Sequence, residues 1–421
     1  MNPQKTIYSL LVLLIISLPL FLNVYSDSEF TFNKTSVSRL FILVAVAVSF
    51  YFYSSSYFDF KKCWRECKSY FILTIFYLIA ISLSTIFSQS HSLSFFGSER
   101  QQGWLQFVLY LLLFSLVLLI LRRKQVEQII FWITGISLIV SLVGILECFN
   151  IRPVWFPVYD QGVASTLGHP SFLGAYLVMV IPLTFALLII SSRRFEKYFS
   201  ALTLIMEFSA LILTKTRAAW IAFVLFLLFA LIMILVKQKK KFLLAITGII
   251  LLIASFLVIL TGTVGQFINA QDGSGALRTI WWNQAIIAIK GKPILGYGLE
   301  TQKDVLMPAY QPLQGVYSYF GLRVDRAHNE VLDQLLTTGI VGTAAFFLLV
   351  VCLFKDGICS FFQTRDKKKA AIILALLGGI LAYFIQGMFS FSVTVLYVYF
   401  WLYAGLLVVI LVKENDKKDK Y

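Results

Sequence analysis

The chain has 421 residues, 59% of them hydrophobic and 14% charged, with a mean hydropathy of +0.83. Soluble domains carry about 25% charged residues, so an ordinary water-soluble fold is excluded. The formal charge of +15 does not indicate nucleic acid, because Lys and Arg fall in short clusters between apolar runs, the pattern of membrane topology signals. Those runs are long enough to cross a hydrocarbon core of about 30 Å as helices. In lipid a helix satisfies its own backbone, and weakly alternating apolar segments do so as helices rather than as a barrel. The expected class is an all-α integral membrane protein.

In chain order, apolar runs at residues 6–24, 37–54, 70–88, 104–121, 128–147, 172–191, 198–214, 218–236, 242–261, 331–354, 370–388 and 391–412 predict twelve transmembrane helices. The first run is long and lacks a small-residue cleavage site, so it reads as a span rather than a leader. The chain thus divides into spans one to nine (1–260), an extracytoplasmic segment (261–330), spans ten to twelve (331–412) and a basic tail (413–421). Alternate connections hold 24 of the 36 Lys and Arg residues, in clusters such as Lys61, Lys62, Arg65 and Lys68, Arg122 to Lys124, and Lys237 to Lys241. Such asymmetry marks the cytoplasmic side, so both termini are expected inside. The cysteines, Cys63, Cys67, Cys148, Cys352 and Cys359, suggest no disulfide framework. The C-x-x-x-C spacing of Cys63 and Cys67 lacks the companion pair that a structural metal needs.

Positive charge on the opposite side is disfavoured and therefore informative. Arg152, Lys215, Arg217, Arg278, Lys290, Lys292, Lys303, Arg323 and Arg326 all fall there. Lys215 and Arg217 stand in a turn of a few residues between two spans. Basic residues held at that face by a tight hairpin suggest an anionic ligand, with snorkelling from a helix end as the plainer explanation.

Composition shifts after residue 261. Residues 262–275 (GTVGQFINAQDGSG) form a Gly-rich linker, and 276–290 (ALRTIWWNQAIIAIK) read as an amphipathic helix lying flat at the interface. Its Ile280, Gln284 and Ile287 stand at i, i+4 and i+7, and Trp281 and Trp282 favour the headgroup region. Arg278 in its first turn opposes the helix dipole, so an external anion could compensate for it. Gly296-Tyr297-Gly298 predicts a tight turn. The densest polar cluster is Arg323-Val324-Asp325-Arg326-Ala327-His328-Asn329-Glu330, at the mouth of the next span. His alone titrates near neutrality without perturbation, which makes His328 the candidate general base. Asp325 and Glu330 are placed to orient it or raise its basicity, and Arg323 and Arg326 to bind phosphate. His169, in Gly168-His169-Pro170, reads as turn chemistry, and His91 as an exposed loop residue.

Four segments resemble the O-antigen ligase and polymerase superfamily. Residues 166–182 (TLGHPSFLGAYLVMVIP) look like its Gly-x-Pro approach to a mid-chain span. Residues 214–220 (TKTRAAW) look like its Ser/Thr-x-Ser/Thr-Arg-x-x-Trp hairpin. Residues 277–298 resemble its Arg-x-x-x-Trp helix followed by Pro-x-x-Gly-x-Gly, and 327–342 (AHNEVLDQLLTTGIVG) its His-Asn-x-x-Leu…Gly-x-x-Gly segment. The resemblance implies an inverting, metal-independent and cofactor-free glycosyltransferase of a bacterial cytoplasmic membrane, acting at the periplasmic or exterior face. Its donor is an undecaprenyl-diphosphate-linked glycan, and its acceptor a lipid (as in lipopolysaccharide assembly), a glycan or a protein. Arg217 and Arg278 match the diphosphate-binding arginines and His328 matches the base. Lys215, Arg323, Arg326, Asn329 and Glu330 join them as candidate substrate-binding residues, Lys215 at a position the pattern leaves free.

A transporter or flippase of small anions or lipid-linked glycans is the alternative. It predicts ionisable residues or broken helices near the bilayer midplane, and of the acidic residues only Glu207 lies well within an expected span.

Overall fold

The protein, described here by a computed structural model, is defined over residues 3–21, 30–51, 60–151, 162–243, 246–248, 274–310 and 325–412. Its helices are α1 (Pro3–Leu20), α2 (Phe30–Tyr51), α3 (Phe60–Ile86), α4 (His91–Phe96), α5 (Trp104–Ile120), α6 (Arg123–Cys148), α7 (Pro170–Ile190), α8 (Arg194–Leu213), α9 (Arg217–Lys237), α10 (Ser274–Gly291), α11 (Gln302–Tyr310), α12 (Glu330–Gln363), α13 (Lys367–Gly387) and α14 (Thr394–Val412). The expected all-α membrane class is borne out, with no strand among the described residues. Eight described helices are long and apolar enough to cross a membrane: α2 from Lys34, α3, α6, α7, α9, α12, α13 and α14. The apolar α1 and α5 are shorter, and α8 carries Arg194, Glu196, Lys197 and Glu207 along its 20 residues. The expected span at 242–261 lies largely outside the described residues, as do Arg152, Arg323 and most of the Gly-rich linker.

Packing follows the apolar pattern. Helices α7 and α14 are apolar all round and form the inside of the bundle, with 83% and 89% of their spanning windows buried. A helix hydrophobic on every face must be surrounded by protein or lipid. Peripheral helices instead leave apolar stripes bare: Ile72, Ile75, Phe76 and Ile79 on α3, and Ile205, Phe208 and Ile212 on α8. Stripes of that extent are unfavourable in water and favourable against acyl chains.

The bundle has two chemically different ends. At one, Lys237 donates to the carbonyls of Phe361 and Thr364, Arg123 pairs with Asp366, and Tyr70 donates to Asp356 at 2.7 Å. The basic clusters of the sequence fall at this end. The other gathers the C-terminal ends of α3, α6, α8 and α13 with the N-terminal ends of α5, α7, α9, α12 and α14, and α10 and α11 pack over it.

Two local devices shape that second end. Helices α8 and α9 are separated only by Thr214, Lys215 and Thr216. The turn closes because Lys215 adopts φ +52°, Thr214 Oγ1 accepts from the Thr216 amide at 3.2 Å, and Trp220 Nε1 donates to the Leu211 carbonyl at 3.0 Å. Helix α12 is interrupted at Gly339 (φ +61°, ψ −169°). The groups this break frees do not stay bare. The amides of Tyr297 and Gly298 donate to the Leu336 and Thr337 carbonyls at 2.9 Å each, and those of Ile340 and Val341 donate to Pro293 and Ile294 at 2.8 and 3.2 Å. The 293–298 turn therefore plugs the interrupted helix, as buried backbone polar groups require. Gly296 (φ +70°) and Gly339 are mutually required, because a Cβ on either would overlap backbone of the opposite segment.

Candidate functional site

The segment 325–329 is stretched between fixed points. The Ala327 amide donates to Asp333 Oδ1 at 2.8 Å. Asn329 caps α12, its Oδ1 accepting from the Val331 and Leu332 amides at 3.0 and 3.1 Å while Nδ2 donates to the Met388 carbonyl. Glu330 accepts from the Ser392 amide at 3.0 Å and from the Tyr397 hydroxyl at 2.6 Å. Between these anchors His328 adopts φ +53°, a region that costs a non-glycine residue energy unless its surroundings impose it. The result is a ring wedged between two aromatics: stacked on Trp281 (centroids 4.5 Å, planes 25° apart) and edge-on to Phe391 (5.0 Å, 70°).

Burial in this aromatic slot pushes the His328 imidazole down to about 4; Asp325 pulls it up, and Arg278, Arg100 and Arg326 push it down further. The net effect is a base that stays neutral among three guanidinium groups. Its ring nitrogens make no hydrogen bond to a described residue. Phe391 is the hub of the site. Arg100 lies 4.1 Å from its centroid and Arg326 5.4 Å. Phe172 meets its edge at 5.4 Å and in turn touches His169 at 5.2 Å. His169 caps α7, its Nδ1 accepting from the Ser171 amide at 3.1 Å; burial, then Arg100, holds this imidazole near 4 as well.

Two ion pairs frame the cluster. Arg326 pairs with Glu300, both side chains under 10% exposed. Burial works against the charge on Arg326, but Glu300, Asp333 and Asp325 outweigh it and hold the guanidinium above its ordinary range. Arg100 pairs with Asp325 at 2.8 Å, with 13% and 27% of the side chains exposed.

Of the residues expected from the sequence, the structure brings His328, Arg278 and Arg326 into one electrostatic cluster. Helix α10 begins at Ser274, two residues earlier than the sequence suggests, so Arg278 stands one turn in. The buried face of α10 is also different: Trp281 and Ala285 pack against Leu306, Ala327 and Leu336, whereas Ile280 and Ile287 are exposed. Arg217 opens α9 at the same end of the bundle, half-buried, beside α7 where Gly174 meets Thr216 and Ala219. Helix α9 packs on α7, whose Phe172 touches Phe391. Lys215 is exposed in the hairpin. Asn329 and Glu330 direct their polar atoms to the helix cap, Met388, Ser392 and Tyr397, so Glu330 does not orient the imidazole. Asp325 acts on His328 through its charge while its carboxylate holds Arg100. Arg323 lies outside the described residues.

Sequence reasoning overlooked Arg100, Glu300 and Phe391. Arg100 was discoverable: it follows the third span on the side where basic residues are disfavoured, the same argument that singled out Lys215. Glu300 and Phe391 carry no local signal, because their roles exist only once distant segments meet.

Residues 199–347 match the family described as O-Antigen ligase. The chain is also 27% identical over 150 residues to a putative polysaccharide ligase of Rickettsia felis, and 28% over 150 residues to one of Rickettsia conorii. Each match covers 36% of this chain and 34% of the relative, so the chain spans about a third of the length of the curated relatives it matches. The matched residues include the α8–α9 hairpin, Arg278, the plug and the His328 segment, three of the four motifs that carried the resemblance. Residues 199–347 are thus similar to the O-antigen ligase family.

Proposed function

We propose that the protein transfers a glycan from an undecaprenyl-diphosphate carrier to an acceptor hydroxyl, with the Phe391 end of the bundle facing outward. The observation that carries this reading is His328, held neutral against Trp281 while Arg278, Arg100 and Arg326 surround it. In such a transfer the acceptor oxygen attacks the anomeric carbon and inverts it. The bond from that carbon to the diphosphate oxygen breaks, the hydroxyl proton passes to the imidazole, and the diphosphate leaves with its electron pair. Fixed guanidinium groups stabilise the leaving charge without reorganisation. An imidazole near 4 is by itself a weak base, but a bound diphosphate adds negative charge beside it and raises its basicity as substrate arrives. The base and the anion site thus support each other.

The break in α12 is the feature that a transporter would use as a substrate site. Here the freed backbone groups are taken up by the 293–298 turn, which favours the enzyme. The test is glycan transfer by purified protein from a lipid-linked donor, comparing wild type with His328→Ala and Arg278→Ala. The expected result is loss of transfer in both variants. Undiminished transfer in both removes the mechanism, and scrambling of the donor without a new glycosidic bond replaces it with a transporter.

A further inference from the structure

The loop between α4 and α5 lies outside residues 199–347, yet it is built with unusual care. Thr35 Oγ1 donates to the Arg100 carbonyl at 3.1 Å, and Arg39 donates to the Gln101 carbonyl at 2.7 Å and to Gln101 Oε1 at 3.0 Å. Ser98 donates to Glu300 through its amide at 3.3 Å and its hydroxyl at 2.5 Å. Gly97 turns the chain at φ +90°, where a Cβ would overlap the backbone of Gln101 and Gln102. All this fixes one outcome: the Arg100 guanidinium, laid on Phe391 and paired with Asp325 within the His328 cluster.

The two ion pairs of the site differ in a way that assigns them different roles. Arg326 and Glu300 are sealed from solvent, so separating them leaves a buried, uncompensated charge, and the pair acts as a strut. Arg100 and Asp325 are partly open, so either can change partner at modest cost. A diphosphate carries more charge than one carboxylate and offers oxygens at the spacing a guanidinium fork accepts. It therefore displaces Asp325 from Arg100 when it enters.

We propose that Arg100 is a further phosphate-binding residue of this site, and that Asp325 is the resident anion that holds it until the donor's diphosphate takes its place. The inference rests on the lipid-diphosphate reading above and adds to it a ligand from outside the family-matched residues.

The experiment is direct binding of undecaprenyl diphosphate to the full chain in detergent, with undecaprenyl monophosphate as the comparison. It uses wild type, Arg100→Gln, Arg100→Lys and Asp325→Asn, each checked for a monodisperse elution profile. Loss of a charge-assisted contact is expected to weaken diphosphate binding in Arg100→Gln by roughly ten- to a hundredfold. Arg100→Lys recovers part of it, and Asp325→Asn binds as tightly as wild type or tighter. A merely structural pair gives equal losses in Arg100→Gln and Asp325→Asn with no recovery by lysine, and that pattern overturns the proposal while leaving the lipid-diphosphate reading intact. Wild type that binds neither lipid overturns both.

Discussion

The indole of Trp281 lies against the imidazole of His328, their centroids 4.5 Å apart, and Phe391 closes the ring's edge at 5.0 Å. This contact ties α10 to the segment that leads into α12 and shields the imidazole from water. Its consequence is a pH profile. The ordinary value for His is 6.5 and burial brings it to about 4 here. Between those values the unfolded chain takes up a proton that the folded chain refuses, so stability rises with pH across that window. The contribution is complete above 6.5 and is lost as pH falls toward 4. The same sign governs activity: kcat/KM reports the free enzyme, and its acid limb is expected near 4. Trp281→Ala admits water and moves that limb upward toward 6.5, whereas Trp281→Phe preserves the stack and leaves it low. Identical acid limbs in all three proteins would show that the indole does not set the basicity of His328.

The plug in α12 makes a second prediction about a residue with no side chain. Gly339 sits at φ +61° with its Cβ direction filled by the Ile294 carbonyl. Gly339→Ala adds about 1–3 kcal/mol of backbone strain and pushes the 293–298 turn off its four hydrogen bonds. A clear fall in melting temperature is expected, together with loss of transfer, because the same turn leads into Glu300. Gly248→Ala, which places its Cβ in open space, is the matched control. Equal melting temperatures for the two variants are incompatible with the plug.

What the sequence reveals here follows the range of the forces involved. Spans are legible because hydrophobic length is a local property, and the α8–α9 hairpin because three polar residues between two apolar runs leave no other option. His328 and Arg278 are legible as chemistry-bearing residues in disfavoured places. The buried face of α10 is not: Ile280 and Ile287 satisfy a helical period, but Trp281 and Ala285 are the residues that meet Leu306 and Ala327. On a membrane surface an exposed apolar face carries little penalty, so periodicity loses its power to tell inside from outside. The break at Gly339 was equally hidden, since residues 335–354 carry no charged residue and only the partner turn at 293–298 makes the interruption stable.

Arg326 and Glu300 allow the strut to be separated from the chemistry. Removing one partner of a buried pair strands the other charge, at a cost of about 3–5 kcal/mol, whereas replacing both with apolar groups of similar volume is often tolerated. Arg326→Met and Glu300→Leu are each expected to lower thermal stability sharply, and the double variant to recover most of it. Donor binding is expected to fall with stability in the single variants and to return in the double. If the double variant folds well but binds donor no better than Arg326→Met, then Arg326 itself contacts the ligand.

The native cysteines offer a test of which way the bundle faces. Cys148 is exposed at the C-terminal end of α6, at the same end of the bundle as His328, and Cys359 is exposed near the opposite, basic end of α12, while Cys63 and Cys67 are buried. Variants retaining only Cys148 or only Cys359, with serine elsewhere, place a single thiol at each end. In right-side-out membrane vesicles a charged, impermeant maleimide is expected to label the Cys148 variant and to reach Cys359 only after detergent is added. The reverse pattern puts the imidazole and its guanidinium groups in the cytoplasm, where Lys and Arg clusters belong by the charge rule. Transfer at the outer face would then be impossible whatever the activity of the purified protein, so the labelling decides the side of the reaction independently of its chemistry.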